Sequence, residues 1–219
     1  MFKAFVIPVF AFAVSCGSAI AQSPMTHQHS FSDAQSWARV FDDPKRDAWQ
    51  KPAEVIKALA LAPGSVVGDI GAGTGYFSVR LAKLLPNGRI FAADVEQSMV
   101  RYLIERSARE SLPNMTPVLA RNDTPGLPAK VDLGLMVDTY HHIEGRERYF
   151  HGIEELLKPG ARVAIIDFRM DSPEGPPKHS RLTPEQVIAE MARAGYALAE
   201  RHDFLPRQYF LVFRLAAAR

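Results

Sequence analysis

The chain has 219 residues, 47% of them apolar and 23% charged, which suits one sizeable core and is too short for two enzyme domains. Lys plus Arg number 26 against 24 Asp plus Glu, so no strong field exists to recruit nucleic acid or a membrane surface. The single cysteine, Cys16, excludes an internal disulfide, a multi-thiolate metal site and a CxxC redox pair.

Residues 1–21 have the plan of a secretory signal peptide. Lys3 is their only charge, an apolar stretch runs from Ala4 to Val14, and small residues end at Ala19-Ile20-Ala21 before Gln22. The apolar run falls short of the roughly 20 residues a spanning helix needs, so the expectation is export to a periplasm without stable membrane insertion after cleavage. Lipidation at Cys16, within Ala13-Val14-Ser15-Cys16, is the lesser alternative. Residues 22–51 read as a disordered polar leader and a lid helix; His27 and His29 have the spacing of a metal clip, but the composition favours a plain leader and no metal site is expected. Ser32 with Gln35 reads as a capping box for a short amphipathic helix carrying Trp37, Val40 and Phe41, which Pro44 closes.

Residues 52–219 form the main domain. Pro52 opens a helix to about Ala60, and then short apolar runs alternate with amphipathic stretches. The pattern predicts strands at Val66–Ile70, Arg89–Asp94, Thr116–Ala120, Val131–Val137 and Arg162–Phe168. Helices are predicted at Tyr76–Leu85, Gln97–Glu110, Arg146–Leu157 and Pro184–Ala194. Such alternation calls for a doubly wound, mostly parallel α/β sheet of Rossmann-like type. The last two runs, Tyr196–Phe204 and Gln208–Leu215, are separated only by Leu205-Pro206-Arg207, too little for a crossover helix. They predict an antiparallel hairpin at the sheet edge.

The first strand runs through Asp69 into Gly71-Ala72-Gly73-Thr74-Gly75 and then a helix. Glycines there allow a tight strand-to-helix turn and a ligand's close approach to the backbone. The dinucleotide fingerprint G-x-G-x-x-G fits poorly, because Tyr76 occupies its last glycine position. An acid, Asp94, closes the second strand in Ala92-Ala93-Asp94-Val95-Glu96. Asn122 and Asp123 follow the third strand, and Asp138-Thr139-Tyr140-His141-His142-Ile143 follows the fourth.

Over about Glu54 to Leu215 the chain resembles the class I S-adenosylmethionine-dependent methyltransferases, most closely the ubiquinone/menaquinone-biosynthesis and arsenite methyltransferase-like group. The resemblance implies S-adenosyl-L-methionine as cofactor. It implies that Asp69 orients the methionine end over a floor of Gly71, Ala72, Gly73, Thr74 and Gly75, and that Asp94, followed by Val95, accepts the ribose hydroxyls. Asn122 or Asp123 would meet the adenine amine, and Asp138 would line the cofactor. A carboxylate's two acceptor oxygens suit a vicinal diol. The chain departs from arsenite methyltransferases in lacking their thiolates, its one cysteine lying in the leader.

Asp138, Tyr140, His141 and His142 are candidates for a general base, imidazole being best poised near neutral pH. The expected partner is a small-molecule methyl acceptor, roofed by the Trp37 helix, residues 46–49 and the Pro-rich stretch from Arg169 to Leu182. Two other readings remain open: an exported adenosyl-compound-binding module without turnover, and an NAD-type oxidoreductase, which the glycine spacing disfavours.

Overall fold

The computed structural model describes Met1 and residues 33–217. The expected signal peptide, Cys16 and the His27/His29 pair lie outside the described residues. Among the described residues seven strands form one sheet: β1 (Val66–Ile70), β2 (Arg89–Asp94), β3 (Met115–Leu119), β4 (Val131–Val137), β5 (Leu157–Phe168), β6 (Tyr196–His202) and β7 (Gln208–Leu215). Their spatial order is β3-β2-β1-β4-β5-β7-β6. The first five run parallel, while β7 lies antiparallel to both β5 and β6. The doubly wound sheet and the antiparallel hairpin at its edge are therefore as expected.

Two apolar cores flank the sheet. One buries α3 (Pro52–Ala58), α4 (Tyr76–Leu84) and α5 (Gln97–Arg109) through Val55, Phe77, Leu81 and Leu103. The other buries α6 (Arg146–Gly152) and α7 (Pro184–Arg193) through Phe150, Val187 and Met191. Strand alternation sends Val67, Ala92, Leu133 and Ile166 to the first core and Phe91, Met136 and Ile165 to the second, as period-two side chains on a sheet covered on both faces must go.

The N-terminal segment differs in detail from its expectation. The cap of α1 (Ala34–Phe41) is Asp33, whose carboxylate accepts from the Ser36 N–H and hydroxyl, one residue later than the predicted Ser32 cap. A carboxylate is favoured there because the helix N-terminus carries partial positive charge. The α1 helix ends at Phe41, before Pro44 as expected, and Pro44 opens a 3-10 turn (Pro44–Arg46) leading into α2 (Asp47–Gln50). A second break falls at Lys51, at φ 45°, because the proline that follows disfavours ordinary helical geometry at that residue.

Two further boundaries move. The α6 helix ends at Gly152, a 3-10 turn spans Ile153–Leu156, and β5 begins five residues before its predicted start, because Leu157 already pairs with Val131. The register between β4 and β5 then shifts after Val131, across Pro159 and Gly160. At the other end β6 stops at His202, leaving residues 203–207 as the hairpin connection.

Candidate active site

The carboxyl ends of the parallel strands carry a row of acids: Asp69 on β1, Asp94 on β2 and Asp167 on β5, all buried, and the partly exposed Asp138 just after β4. Crevices at such strand ends, where the strand order reverses, are where open α/β sheets bind ligands. Here the reversal falls between β1 and β4.

The glycine turn is built for close approach. Gly71, Gly73 and Gly75 all adopt left-handed backbone, at φ 76°, 55° and 92°. The Gly71 and Ala72 N–H groups donate to the Ala93 carbonyl at 2.8 and 3.0 Å, and the Gly73 N–H donates to Asp94 Oδ2 at 2.8 Å, which ties the turn to the end of β2. Asp94 Oδ1 accepts from the Glu96 N–H at 2.9 Å. Each Asp94 oxygen thus keeps acceptor capacity beyond its one backbone donor. Burial raises the Asp94 carboxyl above the ordinary carboxylate range, against the lowering effect of those N–H groups. Asp69 is held by the Ser78 hydroxyl at 2.5 Å. Burial pushes it up to about 6 in spite of that bond, and the Asp94 charge adds to the rise. Thr74 is 1% exposed and its hydroxyl has no partner among the described residues, an orphan that a polar ligand group would satisfy.

Four side chains close a ring over the adjoining strand ends. Arg46 Nε donates to Gln50 Oε1 at 3.0 Å, Gln50 Nε2 to Gln208 Oε1 at 2.6 Å, Gln208 Nε2 to Asp138 Oδ1 at 2.5 Å, and Arg46 Nη2 to Asp138 Oδ2 at 3.3 Å. The ring pins the N-terminal segment to β7 and to the loop after β4. Phe41 lies over Gly73, at 3.4 Å from where a Cβ would stand, and Arg106 of α5 joins Asp42 to the Thr74 carbonyl. The Trp49 ring meets Phe168 at 5.7 Å, and Gly175 packs on the same Phe168. Residues 41–49 and the 169–182 stretch thus cover the strand ends from two sides.

Asp138 stands at φ 56°, a conformation that costs a non-glycine residue about 1–2 kcal/mol and persists only where its surroundings over-determine it. Here its N–H donates to the Ile166 carbonyl at 2.9 Å and both carboxylate oxygens are engaged by the ring. Burial pushes its carboxyl up to about 7, with Arg46 opposing and Asp167 reinforcing the rise. The folded protein therefore holds a proton that the unfolded chain gives up near pH 4, and Asp138 contributes stability that is lost as pH rises toward 7. Asp138→Asn is expected to flatten this part of the profile. Melting temperatures measured from pH 4.5 to 7.5 should fall less steeply in the variant, and parallel profiles would place Asp138 outside the buried network.

The loop after β4 divides the remaining candidates. His141 is brought to Asp167, its Nδ1 2.9 Å from each carboxylate oxygen, and both side chains are about 5% exposed. Burial alone would lower the imidazole, but the Asp167 hydrogen bond and charge, with Asp138, outweigh it and hold it above its ordinary value. His142 is exposed, its ring 4.1 Å from that of His141. Tyr140 is the correction. It is fully buried against Phe150, its hydroxyl donates to Glu190 at 2.8 Å, and burial pushes its phenol well up, so it serves the core between α6 and α7 and offers no proton acceptor. Asn122 and Asp123 stand in an exposed turn after β3, where Asp123 pairs with Arg121 at 3.3 Å, and the structure does not bring them into the buried row.

Asp167, Gln50 and Gln208 were missed from the sequence. Asp167 had a signal: it ends an apolar run, Ala164-Ile165-Ile166-Asp167, just as Asp69 and Asp94 end theirs. The glutamines had none.

Residues 69–163 match the methyltransferase domain family Methyltransf_12. The erythromycin 3''-O-methyltransferase of Saccharopolyspora erythraea is 29% identical over 132 residues, covering 57% of this chain and 43% of that protein. The malonyl-[acyl-carrier protein] O-methyltransferase of Methylococcus capsulatus is 33% identical over 116 residues, covering 52% and 40%. The chain thus spans about two fifths of the length of these curated relatives. A solved S-adenosylmethionine-dependent methyltransferase from Aquifex aeolicus superposes with a TM-score of 0.77 at 25% identity, covering 83% of this chain and 98% of that one. Sheet order and these likenesses give the chain a Rossmann-like methyltransferase fold, with a methyltransferase-domain match over residues 69–163.

Proposed function

We propose that the protein transfers a methyl group from S-adenosylmethionine to a small-molecule acceptor. The observation that carries this reading is the cradle between β1 and β2, in which left-handed glycines, a backbone-clamped Asp94 and an orphaned Thr74 hydroxyl converge. Asp94 would accept from the ribose diol, Asp69 would face the cationic methionine end, and Thr74 with the glycine N–H groups would supply the remaining polar contacts. The cofactor supplies an electrophilic methyl on a sulfonium. What remains for the protein is to orient the acceptor in line, exclude water and take up a proton where the acceptor releases one. Residues 41–49 and 169–182 would do the excluding. The proposed setting is the periplasm, on the leader sequence alone.

Calorimetric titration of the purified protein with S-adenosylmethionine, S-adenosylhomocysteine and NAD in parallel tests the reading. Micromolar binding of the adenosyl pair without an NAD signal supports it, and a folded protein that binds neither adenosyl compound overturns it. Asp94→Ala is expected to weaken S-adenosylhomocysteine by more than about tenfold, through loss of charge-assisted bonds and of the clamp on Gly73. Unchanged affinity in the folded variant would remove Asp94 from the site. His141→Ala and His142→Ala should leave that affinity nearly intact.

A further inference from the structure

We propose that Asp167 is a positioning residue which holds His141 as proton acceptor, and that the methyl acceptor is accordingly a weakly acidic hydroxyl, a phenol or an enol. The inference rests on the methyltransferase reading above and narrows it to an acceptor class. Its ground is geometric. Asp167 is fixed by the Phe168 N–H at 2.8 Å and the His141 N–H at 3.2 Å, and it receives His141 Nδ1 at 2.9 Å on both oxygens. A carboxylate can only accept, so in the neutral imidazole Nδ1 carries the hydrogen and Nε2 the lone pair. The dyad sits at the carboxyl end of β5, beside the loop that follows β4, in the same row of strand ends as Asp69 and Asp94. The groups acting on the imidazole are Asp167, Asp138, Arg146 and the neighbouring His142 ring. Tyr209, the register partner of Asp167 on β7, packs in the second core, its buried hydroxyl without a partner among the described residues.

The chemistry selects the class. A carboxylic acid is already ionised at neutral pH and needs no base to accept a methyl group, whereas a phenol stays protonated until about pH 10. For a hydroxyl acceptor the O–H bond breaks as its proton passes to His141 Nε2. The oxygen's electron pair forms the new O–CH3 bond, and the pair of the breaking C–S bond stays on sulfur, leaving a neutral thioether. The imidazolium so formed is balanced by Asp167 and later gives its proton to water.

Two readouts test this on the full protein. Long-range proton–nitrogen correlation spectra of histidine-labelled protein, with His141→Gln to assign the signal, should show the Nδ1–H tautomer. In Asp167→Asn the titration midpoint should fall, because the hydrogen bond and charge that raise it are lost. Transfer of labelled methyl from S-adenosylmethionine to a panel of phenols, enols, carboxylic acids and amines should favour the hydroxyl acceptors. With such an acceptor, kcat should drop about 100-fold or more in His141→Gln, and its pH profile should move in Asp167→Asn, while KM and S-adenosylhomocysteine affinity stay within about twofold. An Nε2–H tautomer, a titration unmoved by Asp167→Asn, no transfer to any hydroxyl acceptor, or full turnover by His141→Gln would each overturn the assignment. If S-adenosylhomocysteine still binds, the methyltransferase reading survives that failure, and if it does not bind, both fall together.

Discussion

Gly71→Ala is expected to destabilise the protein by about 2–4 kcal/mol and to abolish measurable S-adenosylhomocysteine binding in whatever remains folded. Two costs add. At φ 76° an alanine pays about 1–2 kcal/mol for left-handed backbone, and its Cβ would stand 2.8 Å from the Thr139 Cβ and closer still to the Thr139 Oγ1 and Cγ2. Neither contact yields easily, because Thr139 is β-branched and its hydroxyl donates to the Val137 carbonyl at 3.0 Å. Relief would push apart the ends of β1 and β4, where the reversal of strand order opens the crevice. Chemical denaturation of Gly71→Ala and of Gly71→Ala/Thr139→Gly separates the terms. The double variant should recover the steric part and keep the backbone part. A Gly71→Ala protein as stable as wild type would show that the turn is not locked as described.

Above pH 7, where the Asp138 carboxyl is ionised, Arg46→Ala is expected to cost about 3 kcal/mol, near the low end for breaking a buried ion pair, because the Asp138 side chain is about 20% exposed. The loss leaves Asp138 Oδ2, Gln50 Oε1 and the Phe41 carbonyl without their shared donor, and it removes the cation from above the Tyr76 ring, 4.3 Å from its centroid. The damage should be local: the N-terminal segment loosens over the strand ends, so protease cleavage between residues 41 and 51 should rise well before global unfolding. Adding Asp138→Asn should restore part of the stability, since an amide is far cheaper than an unpaired carboxylate to leave buried. Strict additivity of the two substitutions would mean that Arg46 and Asp138 do not act on each other.

The β1–β2 half of the site was readable because its signals are local. Asp69 and Asp94 lie at the carboxyl ends of apolar strands, and three glycines follow Asp69 at fixed offsets, so strand, turn and helix all declare themselves between Val66 and Leu84. The β4–β5 half was less readable. His141 and Tyr140 are neighbours in sequence with similar chemistry, yet one reaches Asp167 and the other is sunk beneath α7. Only the 3-10 turn at Tyr140–His142 decides which side chain faces which way. Asn122 and Asp123 are candidates through the family resemblance alone, and they stand in an exposed turn, which polar pairs also form for purely local reasons.

By itself the sequence determined the doubly wound sheet, its antiparallel edge and the glycine-and-acid cradle, because apolar periodicity and glycine placement act over a few residues and need no knowledge of distant ones. Tertiary structure decided who meets whom: His141 with Asp167 across 26 positions, Arg46 with Asp138 across 92, Gln50 with Gln208 across 158. The first exists because β4 and β5 are parallel neighbours; the others exist because β7 inserts antiparallel between β5 and β6, carrying Gln208 to the carboxyl end of β5, and because the N-terminal segment folds back over the same strand ends. Buried polar groups must find partners within hydrogen-bond reach, and reach is a property of the packed chain, not of spacing along it.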